Sequence, residues 1–401
     1  MTFFRSGTRL HPSSVVRAVA TLSLTQLIGW GATFWLPAVT GSAMAHALDL
    51  PLSVIMGGPT IMLVVMAIIS WPLGIVLERH GARPVMMSGS LLGAGGLLLL
   101  GLADGPAIYI VSWLVLGVAG AGMLTTPAQI ALTEIAGEKS RQALGVLILA
   151  GGLTSTVIWP VAGLLQAEWG WRVTTLVCAA LMLCICLPLH GIMLARQPRQ
   201  ERRVATAAAP PSIDRSRLIL MALSFAANGF FTWGFALTII ILFQTKGLGH
   251  TSAVTAAAVI GLAQSAGRMV DILGGRHLSS LIMGLVGMAL FPLSFGILLL
   301  TGSLVGAVLF ASVYGLASGI TAVTRATLPL ELFPAGTYAR ATAQMALPLN
   351  LAYASAPPAF TAIMTTAGPQ AALWLALVMS VIAFCMLLNL VRHRLKYQPD
   401  Q

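Results

Sequence analysis

Residues 74–83 read GIVLERHGAR, and residues 267–276 read GRMVDILGGR. Both fit one pattern: glycine, three residues, an acid, two residues, glycine, one residue, arginine. The copies lie 193 residues apart, and each closes a long apolar run. A repeat at that distance divides 401 residues into two like halves.

The solvent follows from composition. Hydrophobic residues make up 57% of the chain and charged residues 8%, with a mean hydropathy of +0.91. Soluble domains carry roughly 25% charged residues, so too few charges remain here to cover an aqueous globule. A bilayer span takes about 20 apolar residues, and about twelve such runs are present. The ~10-residue alternation of a membrane barrel is absent. The expected class is all-α integral membrane.

The predicted spans are 15–39, 53–77, 85–103, 107–132, 142–166, 173–195, 217–243, 252–276, 279–301, 303–328, 340–365 and 369–391. The N-terminal run is too long for a signal core of 7–15 residues and reads as an uncleaved first span. Residues 196–216, rich in charge, alanine and proline, read as a linker. The chain then divides into a six-helix bundle over 1–195, this linker, and a second six-helix bundle over 217–401. Twenty of the 22 Lys and Arg fall at the termini, the even-numbered loops and the adjoining span ends; only Arg172 and Lys246 lie opposite. The positive-inside rule then puts both termini and the linker in the cytoplasm, with the chain in a bacterial-type inner membrane. The net charge of +11 is spread over these loops, with no face for nucleic acid.

The repeat extends further. Trp30-Gly31 recurs as Trp233-Gly234, 203 residues on; Pro160 and Pro357 are 197 apart, as are Glu134 and Glu331. The same features recur in the same order.

These residues resemble the major facilitator superfamily along essentially the whole chain. Its loop between helices 2 and 3 is matched at Gly74, Gly81 and Arg83, with departures at Glu78, a longer acid, and Ala82, where an Arg is usual. Pro160 and Gly163 resemble its helix 5 segment. Gly117 and Gly120 lie in span 4, with Trp113 where many proton-coupled members carry Arg. The text around Gln26–Gly31, Trp169–Arg172 and Gly267-Arg268 is similar to bacterial monocarboxylate- or oxalate-type permeases and to related arsenical-resistance exporters. The resemblance implies a central site between two bundles that rock about it.

Arg268 is the outstanding intramembrane charge, a placement that costs ~2.5–3.5 kcal/mol on insertion scales. It offers a planar fork to an oxyanion, or pairs with Asp271 one turn away; the two readings are compatible in alternation. Arg325 reads as a snorkelling side chain, a gate pair near the cytoplasm, or a substrate contact. Gln26, Thr33, Asn228 and Thr232 flank Trp30 and Trp233, which line the cavity if the resemblance holds and otherwise face lipid. Gln129, Gln264, Asn350 and Tyr353 are further substrate candidates, or interhelical glue worth about 0.6–2 kcal/mol. Gly74, Glu78, Gly81, Arg83, Asp271, Gly274, Arg276, Arg325 and Glu331 read as gating residues. Pro72, Pro127, Pro160, Pro292, Pro348 and Pro357 are expected to bend their spans.

Cys178, Cys184, Cys186 and Cys385 all lie in apolar runs and read as buried small hydrophobes. The seven histidines show no metal-ligand spacing, and no nucleotide-binding loop is present, so neither metal, cofactor nor ATP is expected. No mid-span carboxylate stands out as a proton carrier; Asp271 is the nearest, since its protonation would release Arg268. The leading expectation is a monomeric secondary transporter of a small, monocarboxylate-like anion, linked to protons. An exporter of a neutral, metalloid or drug-like solute would need Arg268 only structurally. A membrane sensor on the same scaffold would carry a sizeable extra domain, and none is read here. An enzyme would need paired carboxylates, a metal cluster or a nucleophile triad, none of which is found.

Overall fold

The computed structural model describes residues 12–152, 154–192, 194, 213–274, 279–334 and 337–397. Every regular element among them is helical. In order they are α1 (Pro12–Ala32), α2 (Leu36–Leu48), α3 (Leu52–Met56), α4 (Gly58–His80), α5 (Ala82–Gly101), α6 (Pro106–Met123), α7 (Thr125–Ala136), α8 (Ser140–Gly151) and α9 (Thr154–Leu181). A wider-pitched π segment, Met182–Cys186, leads into α10 (Leu187–Ile192). There follow α11 (Arg215–Thr245), α12 (His250–Gly274), α13 (Ser280–Leu300), α14 (Leu304–Leu332), α15 (Tyr338–Thr366) and α16 (Pro369–Tyr397). Among the described residues, nine helical stretches are long and apolar enough to cross a membrane.

Several predicted spans are broken, for local reasons. The first stops at Ala32, and α2 restarts at Leu36 with Pro37 in its first turn, where a missing amide costs nothing. The fourth divides at Leu124 (φ −85, ψ −145). Pro127 has no amide for the Met123 carbonyl and would clash with it, so α6 ends at that residue. The freed carbonyl accepts Nε2 of Gln26 at 2.9 Å, which ties α1 to the break. The fifth and sixth are joined in α9, which turns at Gly170 with φ 75, a conformation that favours glycine. Elsewhere the helix runs on past its proline: α4 through Pro72, α13 through Pro292, and α15 through Pro348, Pro357 and Pro358.

The two cations on the face opposite the linker close helix ends. Arg172 Nη1 donates to the carbonyls of Gly101 (3.0 Å) and Ala103 (2.8 Å) at the end of α5. Lys246 Nζ donates to the Leu299 carbonyl (3.3 Å) at the end of α13. The last carbonyls of a helix lack intrahelical partners and favour a cation.

Close approach between helices follows the sequence repeat. A Cβ on Gly117 of α6 would meet the Met62 carbonyl and Val65 of α4; on Gly315 and Gly319 of α14 it would meet the carbonyls of Ile260 and Gln264 in α12. Gly31 of α1 lies against Ile158 of α9, and Gly234 of α11 against Phe360 of α15. The α12–α14 crossing is backbone on backbone, since Gly267 also faces the Leu316 carbonyl and Gly319.

The N- and C-terminal halves of the chain meet where α4 packs on α15, α8 on α12 and α14, and α7 on α15. On the linker face, Gly74 lies against Ala343, and one apolar cluster combines Leu77, Leu132 and Leu144 with Ala326 and Tyr338. Cysteine placement differs from expectation. Cys178 and Cys186 are buried, but Cys184 and Cys385 are exposed on the outer surface, because lipid tails exert no inward drive on an apolar side chain.

The α12–α14 crossing gives a stability test. Replacing Gly319 by Leu forces the backbones apart, an overpacking that costs about 1–3 kcal/mol or more. We expect the Gly319→Leu protein in detergent to melt clearly below wild type, whereas Gly296→Leu, where nothing lies near the added Cβ, melts within a degree or so.

Candidate functional site

Four aromatic rings form a layer that crosses between the halves. Trp30 of α1 meets Phe34 edge-on at 5.8 Å; Phe34, in the turn after α1, meets Trp233 of α11 at 5.0 Å; Trp233 stacks on Tyr353 of α15 at 4.6 Å and 12°. Each such pair contributes about 0.5–1.5 kcal/mol beyond its buried area. Glycine makes the stack possible, because a Cβ on Gly229 would overlap the Tyr353 ring. Trp30 Nε1 donates to Thr125 Oγ1 at 3.2 Å, anchoring the layer to α7.

One guanidinium group touches this layer, and a second is carried on the helix packed against its own. Arg325 Nη1 donates to the Tyr353 hydroxyl at 2.6 Å, and its Cζ lies 5.9 Å from the centre of that ring. Arg268 follows Gly267 on α12, which packs backbone on backbone against α14, the helix that carries Arg325. The Arg268 guanidinium rests against Gly152 at the end of α8, where a Cβ would overlap Nη1. Its Nε is buried with no hydrogen-bond partner, and so is Nδ2 of Asn228. Asn228 is 4% exposed and precedes the glycine on which Tyr353 rests. Buried polar atoms are nearly always paired, so each of these two orphaned donors lacks the acceptor that a negatively charged group would supply.

The Major Facilitator Superfamily profile matches residues 21–346. The chain belongs to the major facilitator superfamily. Among curated relatives of this superfamily member, monocarboxylate transporter 4 of Gallus gallus is 24% identical over 172 residues, 42% of this chain and 35% of the relative. An MFS-type transporter of Gibberella moniliformis is 26% identical over 245 residues, 60% of this chain and 56% of the relative. The chain thus spans between about a third and just over half the length of these relatives. The human organic anion transporter MFSD10 shares the fold, with TM-score 0.70 at 18% identity over 94% of this chain and 100% of that one. The chain is a multi-pass membrane protein of a transporter family.

In this superfamily member the predicted site residues divide. Trp30, Trp233 and Tyr353 belong to the ring layer, Arg325 donates to its Tyr353, and Arg268 and Asn228 carry the buried unpartnered donors. Trp30 and Trp233 are both half-buried in the ring layer. Gln26 is spent on the Met123 carbonyl, Thr33 on the carbonyl of Gly29, Thr232 on that of Asn228, and Gln264 on Ser318 Oγ at 2.7 Å. These four stitch helices or their own turns. Gln129 is buried in α7 and Asn350 half-buried in α15, helices that touch each other.

The gating residues fall similarly. Glu78 is exposed, and Gly81 turns the chain with φ 78. The Arg83 guanidinium donates to the Gly191 carbonyl at the end of α10. Glu331 accepts from Ser279 Oγ (2.7 Å) and the Leu281 amide (3.3 Å), closing the start of α13. Gly274 ends α12. The Asp271 side chain and Arg276 lie outside the described residues, as does the proposed Arg268–Asp271 pair.

Phe34, Thr125 and Gly152 were not singled out from sequence. Phe34 is one helical turn after Trp30, a spacing that marks a shared face. A finer signal is the 202-residue offset that relates Gln26 to Asn228, Met123 to Arg325 and Pro127 to Pro329. In the first half the amide meets the carbonyl that proline frees; in the second, the shorter amide is unpartnered and an arginine stands at the freed carbonyl.

Tyr353→Phe removes the neutral partner of a charged group, a hydrogen bond worth about 1.5–3 kcal/mol. We expect a lower melting temperature than wild type, with the near-ultraviolet circular dichroism of the Trp233 stack retained.

Proposed function

We propose that this chain is a secondary active transporter of a small monocarboxylate-like anion, and that Arg268 and Arg325 hold the carboxylate beside the Trp30–Phe34–Trp233–Tyr353 layer. The observation that carries this reading is the buried, unpartnered Nε of Arg268, on a helix packed backbone to backbone against the one that carries Arg325. A carboxylate supplies the acceptor that this donor lacks. Asn228 adds a donor, and the rings offer their faces to a short apolar body. The names of the monocarboxylate and organic anion transporters that the chain resembles agree with an anionic substrate.

In this proposal twelve spans form two six-helix bundles, 1–195 and 217–401, joined by a cytoplasmic linker. Both termini are cytoplasmic in an inner membrane, and the monomer is the working unit. The bundles rock about the aromatic layer. The helix contacts α4–α15 and α8–α12 are the surfaces along which they slide. Proton linkage runs through Asp271, whose neutralisation releases Arg268 for substrate.

The test is uptake into proteoliposomes under an imposed pH gradient, with monocarboxylates, dicarboxylates and arsenite as solutes. We expect monocarboxylate flux, reduced at least about tenfold by Arg268→Ala, which corresponds to roughly 1.4 kcal/mol of lost binding. Arg268→Lys should restore little, because an ammonium presents no planar fork. Flux of none of these solutes, or flux indifferent to Arg268→Ala, rejects the site. For the proton step, Asp271→Asn should leave counterflow exchange intact while abolishing acceleration by the gradient; acceleration equal to wild type rules that step out.

A further inference from the structure

Outside the central site, a groove of about 590 Å³ opens on the flank of the protein at the linker face, between α4, α11 and α15. Its walls carry Ile219, Leu223 and the indole of Trp71, and its rim carries Arg215, Arg340 and Gln344. Arg215 is the first residue of α11, and Arg340 is the third of α15. From Arg215 to Leu223, and from Arg340 to Pro348, the groove runs eight residues along each helix, roughly 12 Å at 1.5 Å per residue. Trp71 lies nine residues before the end of α4 at His80, so it stands at a similar depth. The groove is therefore cationic at one level and apolar with an aromatic wall at the level below.

The two guanidiniums have no acid partner among the described residues. The nearest carboxylate in sequence, Asp214, is already committed: it accepts from the Ser216 and Arg217 amides and pairs with Arg217 Nε at 3.1 Å. Arg215 and Arg340 are both exposed, as are Trp71 (54%) and Ile219 (55%). An exposed indole beside exposed aliphatics, with arginines one layer nearer water, matches the chemistry of a membrane interface. The chain's own linker is a poor occupant, since Arg196, Arg199, Arg202 and Arg203 carry the same charge as the rim.

We propose that this groove is a binding site for an anionic phospholipid, its phosphate between Arg215 and Arg340 and the upper part of one acyl chain against Trp71. The charge and the layering select the occupant: an anionic headgroup answers two unpaired guanidiniums, and a chain fills the apolar wall below. The site is shared between the halves of the sequence, because Trp71 belongs to α4 while both arginines belong to α11 and α15. A bound lipid thus bridges the α4–α15 contact.

Bromine quenches tryptophan on contact, and Trp71 makes the groove its own reporter. The protein is placed in phosphatidylcholine nanodiscs containing a minor fraction of phosphatidylglycerol, with bromine on the upper acyl chains of one lipid or the other. At equal brominated mole fraction we expect the Trp71 signal, taken as wild type minus Trp71→Phe, to be quenched at least twofold more by the brominated phosphatidylglycerol. Arg215→Gln with Arg340→Gln should remove that preference and leave quenching by brominated phosphatidylcholine unchanged. Arg215→Lys with Arg340→Lys should keep most of it. Equal quenching by the two lipids in wild type overturns the proposal, since the groove then holds only bulk lipid. A preference that survives the double glutamine variant overturns it too. Loss of the preference in millimolar inorganic phosphate, with sulfate at the same ionic strength without effect, assigns the rim to free phosphate instead.

Discussion

The backbone contact between α12 and α14 places the charged chemistry of the molecule. Gly267, Gly315 and Gly319 let two helices approach until carbonyl oxygens lie where side chains would otherwise be. In a lipid solvent, where burying apolar area gives helices little reason to associate, packing of this closeness is what holds them. It also sets the height and bearing of Arg268, the residue after Gly267, relative to Arg325, six residues after Gly319. Both guanidiniums are then presented from one wall. The second copy of the repeated motif therefore acts through its first glycine as much as through its charges.

The two halves share a plan and differ in one detail. Each places a Trp-Gly pair against a helix that follows, and each has a proline that leaves a carbonyl free. In the first half the long amide of Gln26 satisfies that carbonyl, and the break between α6 and α7 is sealed by neutral groups. In the second half the equivalent positions are Asn228 and Arg325, an amide too short to repeat the bond and a cation. One bundle-forming pattern thus yields a quiet half and a charged half, with the aromatic layer where they meet.

Much of this was legible in the sequence. Apolar runs located most of the helices, and the cost of an intramembrane charge drew attention to Arg268. The breaks after Ala32 and at Leu124 were missed because hydropathy counts apolar residues and is blind to which carbonyl a proline orphans, whereas the turn at Gly170 falls in the gap left between the fifth and sixth spans. The polar candidates could not be sorted either. Gln26 and Gln264 look as available as Asn228 until three-dimensional partners are known, and those partners lie 97 and 54 residues away. Tyr353 and Arg325 were noted separately, but nothing in their 28-residue separation announces that one donates to the other.

Arg172 and Lys246 close helix ends within their own halves, and across the halves, apart from the Arg268 guanidinium on Gly152, several described contacts are apolar: Gly74 on Ala343, Phe34 on Trp233, and the cluster around Leu77 and Tyr338. Any rearrangement that parts these surfaces exposes apolar area, with no ion pair broken at those contacts. Where that area meets water, the balance between conformations carries a large heat-capacity change and shifts with temperature, while dissolved salt, which screens charge, has little to act on there.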